Sequence, residues 1–305
     1  MSIYDFVDKS IVVENEITAN YTSFKTGGPC KYLVNVRNEA DIIGSIMYCR
    51  QSGSDFFVMG CASNLLISDE GFDGVIIRLA DNISDCRVID ETESYVTIRA
   101  YAGCRLSRLA VFAAKLSCTG MEALSGIPGN VGGAVRMNAG AYDGQIADCL
   151  ISSTYVDIQS LEIQKKSFEE HKFGYRYSTY QTDNNIVLFA DFKVNKIDNS
   201  QIVFDKMKEL NKRRAQKQPL DYPSAGSTFK RPEGYYAGAL IQECNLKGFS
   251  IGGACVSEKH AGFVINKNNA SSSDIYNLIK YIQKTVLEQK KILLDREIEL
   301  VGRFF

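Results

Sequence analysis

Glycines in three segments are the residues of this chain whose type and spacing best suit ligand binding. Glycine lacks a Cβ atom, so consecutive backbone amides can approach phosphate oxygens or a flat ring at contact distance. A single glycine-rich segment is more often a plain turn than a ligand cradle. In the third segment, however, the glycines alternate with Ile127 and Val131, apolar residues that a surface linker does not need. We therefore predict that this segment is partly buried against a flat or anionic ligand. The three segments are residues 26–28, 60–65 and 126–134, the last continued by 137–142.

The familiar nucleotide-binding motifs are missing from the sequence. No GxxxxGK[ST] phosphate loop occurs, and no GxGxxG segment follows a predicted strand and opens a helix. A dinucleotide bound by this chain must therefore use a fold other than the phosphate-loop or Rossmann type.

The composition argues against several classes of partner. The net charge is -1 and 45% of the residues are hydrophobic, so the chain can build a sizeable core and has no basic excess for nucleic acid. The nine cysteines are singletons and the two histidines lack zinc-ligand spacing, which predicts reduced thiols and no metal site. Residues 1–14 do not resemble a signal peptide, and no apolar run reaches the ~20 residues that span a bilayer. We expect a soluble, cytoplasmic protein without an obligate protein partner.

Hydrophobic periodicity predicts mixed helices and strands that position these segments. Helices are predicted over residues 1–16, 39–52, 105–116, 201–217 and 272–291, the last with a capping box at Ser271 and Asp274. Strands are predicted over residues 55–59, 74–79, 95–101, 186–194 and 296–301, and a hairpin over 153–164. The composition changes near Asp198, where we predict a domain boundary. We interpret the basic run at 212–214 as the solvated end of a helix.

Seven sequence blocks, spread in order over nearly the whole chain, resemble one enzyme family. The chain is similar to the UDP-N-acetylenolpyruvoylglucosamine reductases (UDP-N-acetylmuramate dehydrogenases) of bacterial cell-wall precursor synthesis, and within them to the shorter, second type. So many ordered blocks do not arise by chance. The blocks are NYTSFKTGGP (20–29), GCASNLLISDEGFDGVII (60–77), GMEALSGIPGNVGGAVRMNAGAY (120–142), FGYRYS (173–178), KQPLDYPSAGSTFKRPEGYYAGALI (217–241), LKGFSIGGACVSEKHAGFVIN (246–266) and LDREIELVG (294–302).

The resemblance implies an α+β fold with two domains and a flavin cofactor. A two-part FAD-binding domain of the vanillyl-alcohol-oxidase type is expected at residues 1–197, and a smaller C-terminal α+β substrate domain at 198–305. FAD is expected to be non-covalent, since neither His171 nor His260 lies in a flavin loop, and NADPH is the expected co-substrate. The implied FAD contacts are Thr26, Gly27, Gly28, Gly60, Ala62, Ser63, Asn64, Leu65, Gly126, Ile127, Pro128, Gly129, Val131, Gly132, Gly133, Ala134, Asn138, Ala139, Gly140 and Ala141.

The family reaction reduces UDP-N-acetylglucosamine enolpyruvate to UDP-N-acetylmuramate. A hydride reaches the enolpyruvyl β-carbon and a proton reaches the α-carbon, while negative charge develops on the carboxylate. By resemblance, Ser227 gives the proton, Arg176 stabilises the charge, and Glu297 hydrogen-bonds or protonates the intermediate. Glu299 lies two residues further along the predicted strand and points to the same side, so spacing alone does not separate it from Glu297. Further substrate contacts are expected from Tyr142, Tyr175, Lys230, Lys247 and Lys259.

Two positions depart from the family pattern. The family has GxGSN where this chain has residues 60–64 with Ala62, and a small Thr or Ser where it has Asn130. Alanine lacks the access of glycine to positive φ, so we expect either an ordinary backbone at Ala62 or a shifted pyrophosphate contact. Asparagine adopts left-handed conformations, so we expect Asn130 to be tolerated.

Two other functions are compatible with a flavin fold. One is an FAD-dependent oxidase, and the blocks around Ser227 and Glu297 argue against it. The other is a non-catalytic FAD-binding protein, and the three filled catalytic positions argue against that.

Overall fold

The computed structural model describes residues 1–79 and 83–305. Its helices are α1 Glu39–Ser52, α2 Leu106–Lys115, α3 Val131–Met137, α4 Ser200–Lys217, α5 Ala237–Glu243 and α6 Ser272–Lys290. Its strands are β1 Val12–Ile17, β2 Pro29–Asn35, β3 Asp55–Met59, β4 Leu65–Ile67, β5 Phe72–Arg78, β6 Cys86–Glu91, β7 Tyr95–Tyr101, β8 Cys118–Thr119, β9 Gly140–Ala141, β10 Gly144–Gln145, β11 Leu150–Val156, β12 Ile163–Ser167, β13 Ile186–Lys196, β14 Ser250–Ile251, β15 Ala254–Val256, β16 Val264–Asn266 and β17 Glu299–Val301. This mixture agrees with the predicted α+β class.

The chain divides into two compact units that interleave along the sequence. The first unit comprises residues 1–13, 33–60 and 75–214, and the second comprises 14–32, 61–74 and 215–305. Two early segments therefore belong with the C-terminal residues. The simpler division into 1–197 and 198–305 stays a prediction.

An antiparallel sheet with the strand order β12-β11-β13-β7-β6 is the framework of the first unit, and β8 pairs with β13. In β7, Val96, Ile98 and Ala100 alternate with more exposed residues and are at most 1% exposed. The hairpin predicted over 153–164 is confirmed as the pair β11 and β12. Helix α1 ends as predicted at Gly53, whose φ of +68° closes the last turn in the left-handed conformation.

Helix α6 supplies the core of the second unit. Its predicted apolar face, from Ile275 to Val286, is fully buried, and each such side chain contributes about 1.5–3 kcal/mol by leaving water. The predicted capping box of Ser271 and Asp274 is present. Strands β14, β15 and β16 form one small sheet, and β4 pairs in parallel with the C-terminal β17.

The prediction of a helix over residues 1–16 is wrong. This stretch forms two 3-10 turns, Ile3–Asp5 and Lys9–Ile11, followed by strand β1. Asp8 interrupts the helix because its extended backbone lets its carboxylate accept a hydrogen bond from the amide of Ser10. The β-branched pair at 12–13 then favours the strand.

A bilayer crossing needs a long, apolar helix, and the part of the chain that the structure describes contains none.

Candidate active site

The third glycine-rich segment leads into α3 and is held by backbone hydrogen bonds. The amide of Val131 donates to the carbonyl of Cys104 at 2.8 Å, and that of Gly132 to Ala102 at 2.9 Å. A Cβ atom on Gly132 would lie 2.9 Å from Cβ of Ala102, so a larger residue would force the two segments apart. The first turn of α3 is therefore in a fixed position before any ligand binds.

Gly133 lies open beside this fixed backbone. It is exposed, and among the described residues no atom beyond its chain neighbours and the backbone of its own helix lies within 4 Å of the place where its Cβ would stand. The apolar Val131 before it is fully buried. A partly buried segment with one open glycine fits the predicted contact with a flat cofactor such as FAD.

Asn130 is accommodated for a different reason from the one expected. Its φ is -98°, which is extended and not left-handed. Its buried side chain donates from Nδ2 to the carbonyl of Gly103 at 2.6 Å. A Cβ atom on Gly60 would lie 2.6 Å from Oδ1 of Asn130. The asparagine fits because Gly60 beside it has no side chain, and not because its own backbone is left-handed.

Arg176 lies in a tight turn in the first unit. Gly174 and Tyr177 close this turn with two backbone hydrogen bonds of 3.1 and 3.2 Å. Arg176 has a φ of +54°, a conformation that costs a non-glycine residue about 1–2 kcal/mol. Its Nη2 donates to the carbonyl of Gly140 at 3.0 Å. The predicted charge-stabilising residue is thus held beside a predicted cofactor residue.

Asn138 joins the Arg176 turn to the end of α3. This residue is 1% exposed, and its Nδ2 donates to the carbonyl of Gly174 at 3.0 Å. Its Oδ1 accepts from the amide of Ala147 at 3.0 Å. Asn138 was predicted as a cofactor contact, and the structure shows that it also positions the turn that carries Arg176.

The end of α4 packs against the same part of the first unit. The hydroxyl of Tyr142, which is itself 41% exposed, donates to the carbonyl of Leu210 at 3.0 Å. The guanidinium of Arg213 lies 5.1 Å from the centre of the Tyr142 ring. Lys212 is exposed as expected for a solvated helix end, but that interpretation is wrong for Arg214, which is half-buried. Sequence reasoning missed Arg214 because helical periodicity does not show what lies beside α4.

Ser227, Glu297 and Asn64 are brought together in the second unit. The amide of Glu297 donates to the carbonyl of Thr228, the residue after Ser227, at 2.9 Å. Nδ2 of Asn64 donates to the carbonyl of Glu297 at 2.9 Å. The predicted proton donor and the predicted glutamate therefore lie on neighbouring backbones, beside a predicted cofactor residue.

The turn at Ser227 is itself firmly held. Gly226 has a φ of +76°, which glycine adopts without strain. The amide of Thr228 donates to the carbonyl of Gly262 at 2.9 Å, and the Thr228 hydroxyl accepts from the amide of Val264 at 3.0 Å. Thr228 is fully buried and Ser227 half-buried, so the backbone at Ser227 is fixed while its side chain remains reachable.

The two C-terminal glutamates differ in their backbone partners but not in burial. Glu297 and Glu299 are both half-buried. The amide of Glu299 donates to the carbonyl of Asn64 at 2.9 Å, whereas Glu297 is bonded next to Ser227. This placement favours Glu297 over Glu299 as the catalytic glutamate, and that role stays a prediction.

Ala62 does not have an ordinary backbone conformation. That conformation was one of the two outcomes that we expected. Its φ is +47°, so alanine occupies the left-handed conformation that the family fills with glycine. Its carbonyl accepts from the amide of Ser23 at 3.3 Å, and the residue is 4% exposed. Its surroundings hold the strained turn in place.

The Thr26 to Gly28 segment is engaged in contacts inside the second unit. The amide of Gly28 donates to the carbonyl of Ser68 at 2.8 Å, and a Cβ atom there would lie 2.1 Å from the carbonyl oxygen of Asp69. The hydroxyl of Thr26 is hydrogen-bonded to that of Ser272 at the start of α6. Close backbone approach explains Gly28, and FAD contact by this segment stays a prediction.

The predicted substrate lysines of the second unit differ in exposure. Lys247 and Lys259 are exposed and Lys230 is half-buried. Nζ of Lys259 donates to the carbonyl of Ala215 at 2.6 Å. Together with Tyr175, which is 54% exposed, these residues are accessible to a ligand, and their role stays a prediction.

His260 is a residue near Ser227 to which the sequence assigned no role. Its Nδ1 accepts from the amide of Gly262 at 3.1 Å, and Gly262 in turn binds the residue after Ser227. Burial lowers the pKa of His260, and the positive charges of Lys247 and Lys217 lower it further. The imidazole is therefore held neutral, with its proton on Nε2.

Two protein families match this chain. Residues 30–162 match the family described as "FAD binding domain", and residues 218–301 match "UDP-N-acetylenolpyruvoylglucosamine reductase, C-terminal domain". The two matches confirm the predicted fold class, an FAD-binding domain followed by a C-terminal α+β domain.

Individual relatives cover nearly the full length. A UDP-N-acetylenolpyruvoylglucosamine reductase of Caldanaerobacter subterraneus subsp. tengcongensis is 46% identical, over 94% of this chain and 93% of its own. The protein of that name from Clostridium tetani is 42% identical, over 95% of this chain and 92% of its own. The crystal structure of UDP-N-acetylenolpyruvylglucosamine reductase from Thermus caldophilus has a TM-score of 0.78 and 32% identity, and covers 95% of this chain and 98% of its own.

Proposed function

Because this chain belongs to the UDP-N-acetylenolpyruvoylglucosamine reductase family, we propose that it reduces UDP-N-acetylglucosamine enolpyruvate to UDP-N-acetylmuramate, with roles for the residues described above. FAD is its cofactor and NADPH its co-substrate. When bound, FAD takes a hydride from NADPH and supplies it to the enolpyruvyl β-carbon. The reaction belongs to peptidoglycan precursor synthesis.

The observation that carries the catalytic assignment is the backbone bond between Glu297 and the residue after Ser227. A serine hydroxyl is a weak acid, so it protonates carbon only when a strongly basic centre lies at hydrogen-bond distance. The rigid turn at Gly226 gives Ser227 the fixed position that such a transfer needs. We assign the proton at the α-carbon to Oγ of Ser227, and a hydrogen bond to the enolate-like intermediate to Glu297.

Arg176 is proposed to bind the carboxylate of the enolpyruvyl group. Its guanidinium is always charged and can form two parallel hydrogen bonds to a carboxylate. The hydrogen bond from Nη2 to the carbonyl of Gly140 helps to hold the guanidinium in place. As negative charge spreads onto the carboxylate, this interaction strengthens and lowers the barrier.

Cellular location and partners are also part of the proposed function. We infer that the protein acts in the cytoplasm, with two small-molecule substrates and without nucleic acid, membrane or an obligate protein partner. The net charge of -1 supports the absence of a nucleic-acid partner.

Anaerobic flavin spectroscopy tests the proposed function. NADPH added to the holoprotein is expected to bleach the flavin absorbance, and UDP-N-acetylglucosamine enolpyruvate added afterwards is expected to restore it. Rapid reoxidation by air without that substrate would instead support an oxidase. Failure of the apoprotein to take up FAD would refute the flavoenzyme assignment. Acid precipitation is expected to release the flavin into solution, since no covalent bond is proposed.

A further inference from the structure

Arg214 is a half-buried cation. Within the described residues no hydrogen bond or ion pair engages its guanidinium; burial lowers its pKa, and the nearby Tyr142 acts in the opposite direction. A guanidinium carries five N–H donors, and removing them from water without replacement is unfavourable. Arg99, also half-buried, shows the usual solution, because its Nε and Nη2 donate to both carboxylate oxygens of Asp191 at 2.8 and 2.9 Å.

The unpartnered guanidinium lies beside the glycine segment assigned to the cofactor. A Cβ atom on Gly126 would lie 3.4 Å from both Cδ and Nη1 of Arg214, and 2.5 Å from Oδ1 of Asn211. Glycine at 126 is therefore what lets this face of α4 approach the segment. Lys212 on the same helix is exposed.

The position of Arg214 is fixed by its helix. Met207 and Leu210 of α4 are 6% and 7% exposed, and the carbonyl of Leu210 accepts the hydroxyl of Tyr142 at 3.0 Å. The backbone that carries Arg214 is thus held in place. A half-buried cation on a fixed backbone is suited to binding an anion.

We propose that Arg214 binds an anionic group of the FAD. The inference rests on the proposed function only in taking FAD as the ligand of residues 126–134. FAD offers anionic oxygens at its pyrophosphate and, after reduction, negative charge on the N1–O2 edge of the ring. Charge-assisted hydrogen bonds to either group would offset the desolvation of the guanidinium.

FAD binding to the apoprotein tests the proposal independently of turnover. Arg214→Met keeps an unbranched, though shorter, side chain and removes the half-buried charge, and Lys212→Met is the matched control on the same helix. Loss of a charged hydrogen bond is expected to weaken FAD binding roughly 10- to 100-fold, as measured by flavin fluorescence. The control is expected to bind FAD like the wild type. Thermal melts of the three apoproteins check that each is folded.

Two further measurements distinguish the anionic groups. If Arg214 binds the pyrophosphate, the loss is larger for FAD than for riboflavin and the reduction potential of the bound flavin stays unchanged. If it faces the ring, riboflavin binding weakens equally and the potential becomes more negative. Wild-type FAD affinity and wild-type potential in a folded Arg214→Met protein would overturn the proposal. A wild type that binds FAD but does not reduce the enolpyruvyl substrate would refute the proposed function and leave this inference intact.

Discussion

Four predicted site residues other than glycine have left-handed backbone conformations, as do nine further non-glycine residues in the described part of the chain. Asn138, Tyr142 and Arg176 in the first unit have φ of +46°, +55° and +54°, and Ala62 in the second has +47°. Such conformations persist only where surrounding contacts impose them, and they concentrate at functional positions. Asn138 tolerates this conformation better than the other three because its short amide forms local hydrogen bonds. At the other three, surrounding contacts must offset the strain.

Replacing Ala62 by glycine tests this strain. Ala62→Gly relieves about 1–2 kcal/mol of left-handed strain, which offsets the lost methyl group and the added chain entropy. Ala147 lies in an ordinary 3-10 turn, so Ala147→Gly has no strain to relieve. We expect Ala62→Gly to be more favourable than Ala147→Gly by about 1 kcal/mol in the free energy of unfolding, measured with urea on the apoprotein. Equal effects at the two positions would show that Ala62 is unstrained.

Replacing Ser227 separates proton transfer from flavin reduction. Ser227→Ala is expected to lower kcat for the enolpyruvyl substrate by roughly 10²- to 10⁴-fold, the usual contribution of a proton donor. NADPH is expected to bleach the flavin of this variant at the wild-type rate. Ser250→Ala, on the exposed strand β14, serves as the control.

The glutamate assignment is tested in the same assay. Glu297→Gln is expected to lower kcat substantially, because the amide forms a weaker hydrogen bond to the enolate-like intermediate. A larger loss for Glu299→Gln than for Glu297→Gln would transfer the role to Glu299. Near-normal turnover in Ser227→Ala would remove the serine from the mechanism.

At the scale of elements, a partly buried ion pair joins two strands of the central sheet. Arg99 on β7 and Asp191 on β13 are directly paired in the strand register, and their side chains are 27% and 8% exposed. The Arg99 guanidinium also lies 4.2 Å from the centre of the Phe189 ring. The guanidinium donates two hydrogen bonds to the carboxylate, so removal of Asp191 leaves the charge of Arg99 without its carboxylate partner.

Asp191→Ala is expected to destabilise the protein by about 3 kcal/mol, because it leaves the Arg99 guanidinium without its carboxylate partner. Glu209→Ala removes an exposed partner of Lys206 on α4, and is expected to change stability by less than about 1 kcal/mol. Denaturant titration of both variants measures the difference. Similar small effects in the two would mean that solvent reaches Arg99 and replaces the carboxylate.

At the scale of the whole molecule, each unit contains one of the two histidines, of which His171 is fully buried and His260 half-buried. In the first unit, Nδ1 of His171 bonds the carbonyl of Ser167 at 2.6 Å and must donate to it, so Nε2 accepts from the Ser153 hydroxyl at 2.7 Å. In the second unit, His260 accepts an amide proton at Nδ1. Burial lowers the pKa of both histidines, and each is neutral at pH 7.

Acid is therefore expected to destabilise both units. Below about pH 6.5, where an ordinary histidine takes up a proton, the unfolded chain binds protons that the folded protein resists. The free energy of unfolding is expected to fall as the pH drops from 6.5 through the lower pKa values of the folded state. Two imidazole NMR signals check this, assigned by His171→Asn and His260→Asn. A midpoint at or above 6.5 for either signal would contradict the buried neutral state.

Local periodicity and ordered motifs determined much of this protein from sequence alone. The apolar face of α6, its capping box and the end of α1 at Gly53 depend on neighbours within a few residues, so the sequence contains their causes. The motif blocks identified the family. Local signals failed over residues 1–16, where two 3-10 turns and strand β1 replaced the predicted helix.

Only the tertiary structure decided which distant segments meet. Asn64 bonds the carbonyl of Glu297, and the Gly126 segment lies beside Arg214. No spacing in the chain indicates either contact. Ala62 is left-handed because its fold holds it so, against the preference of alanine. The physical reason is one of range: backbone preference and hydrophobic period act over a few residues, whereas burial and hydrogen-bond partners depend on what the folded chain places alongside.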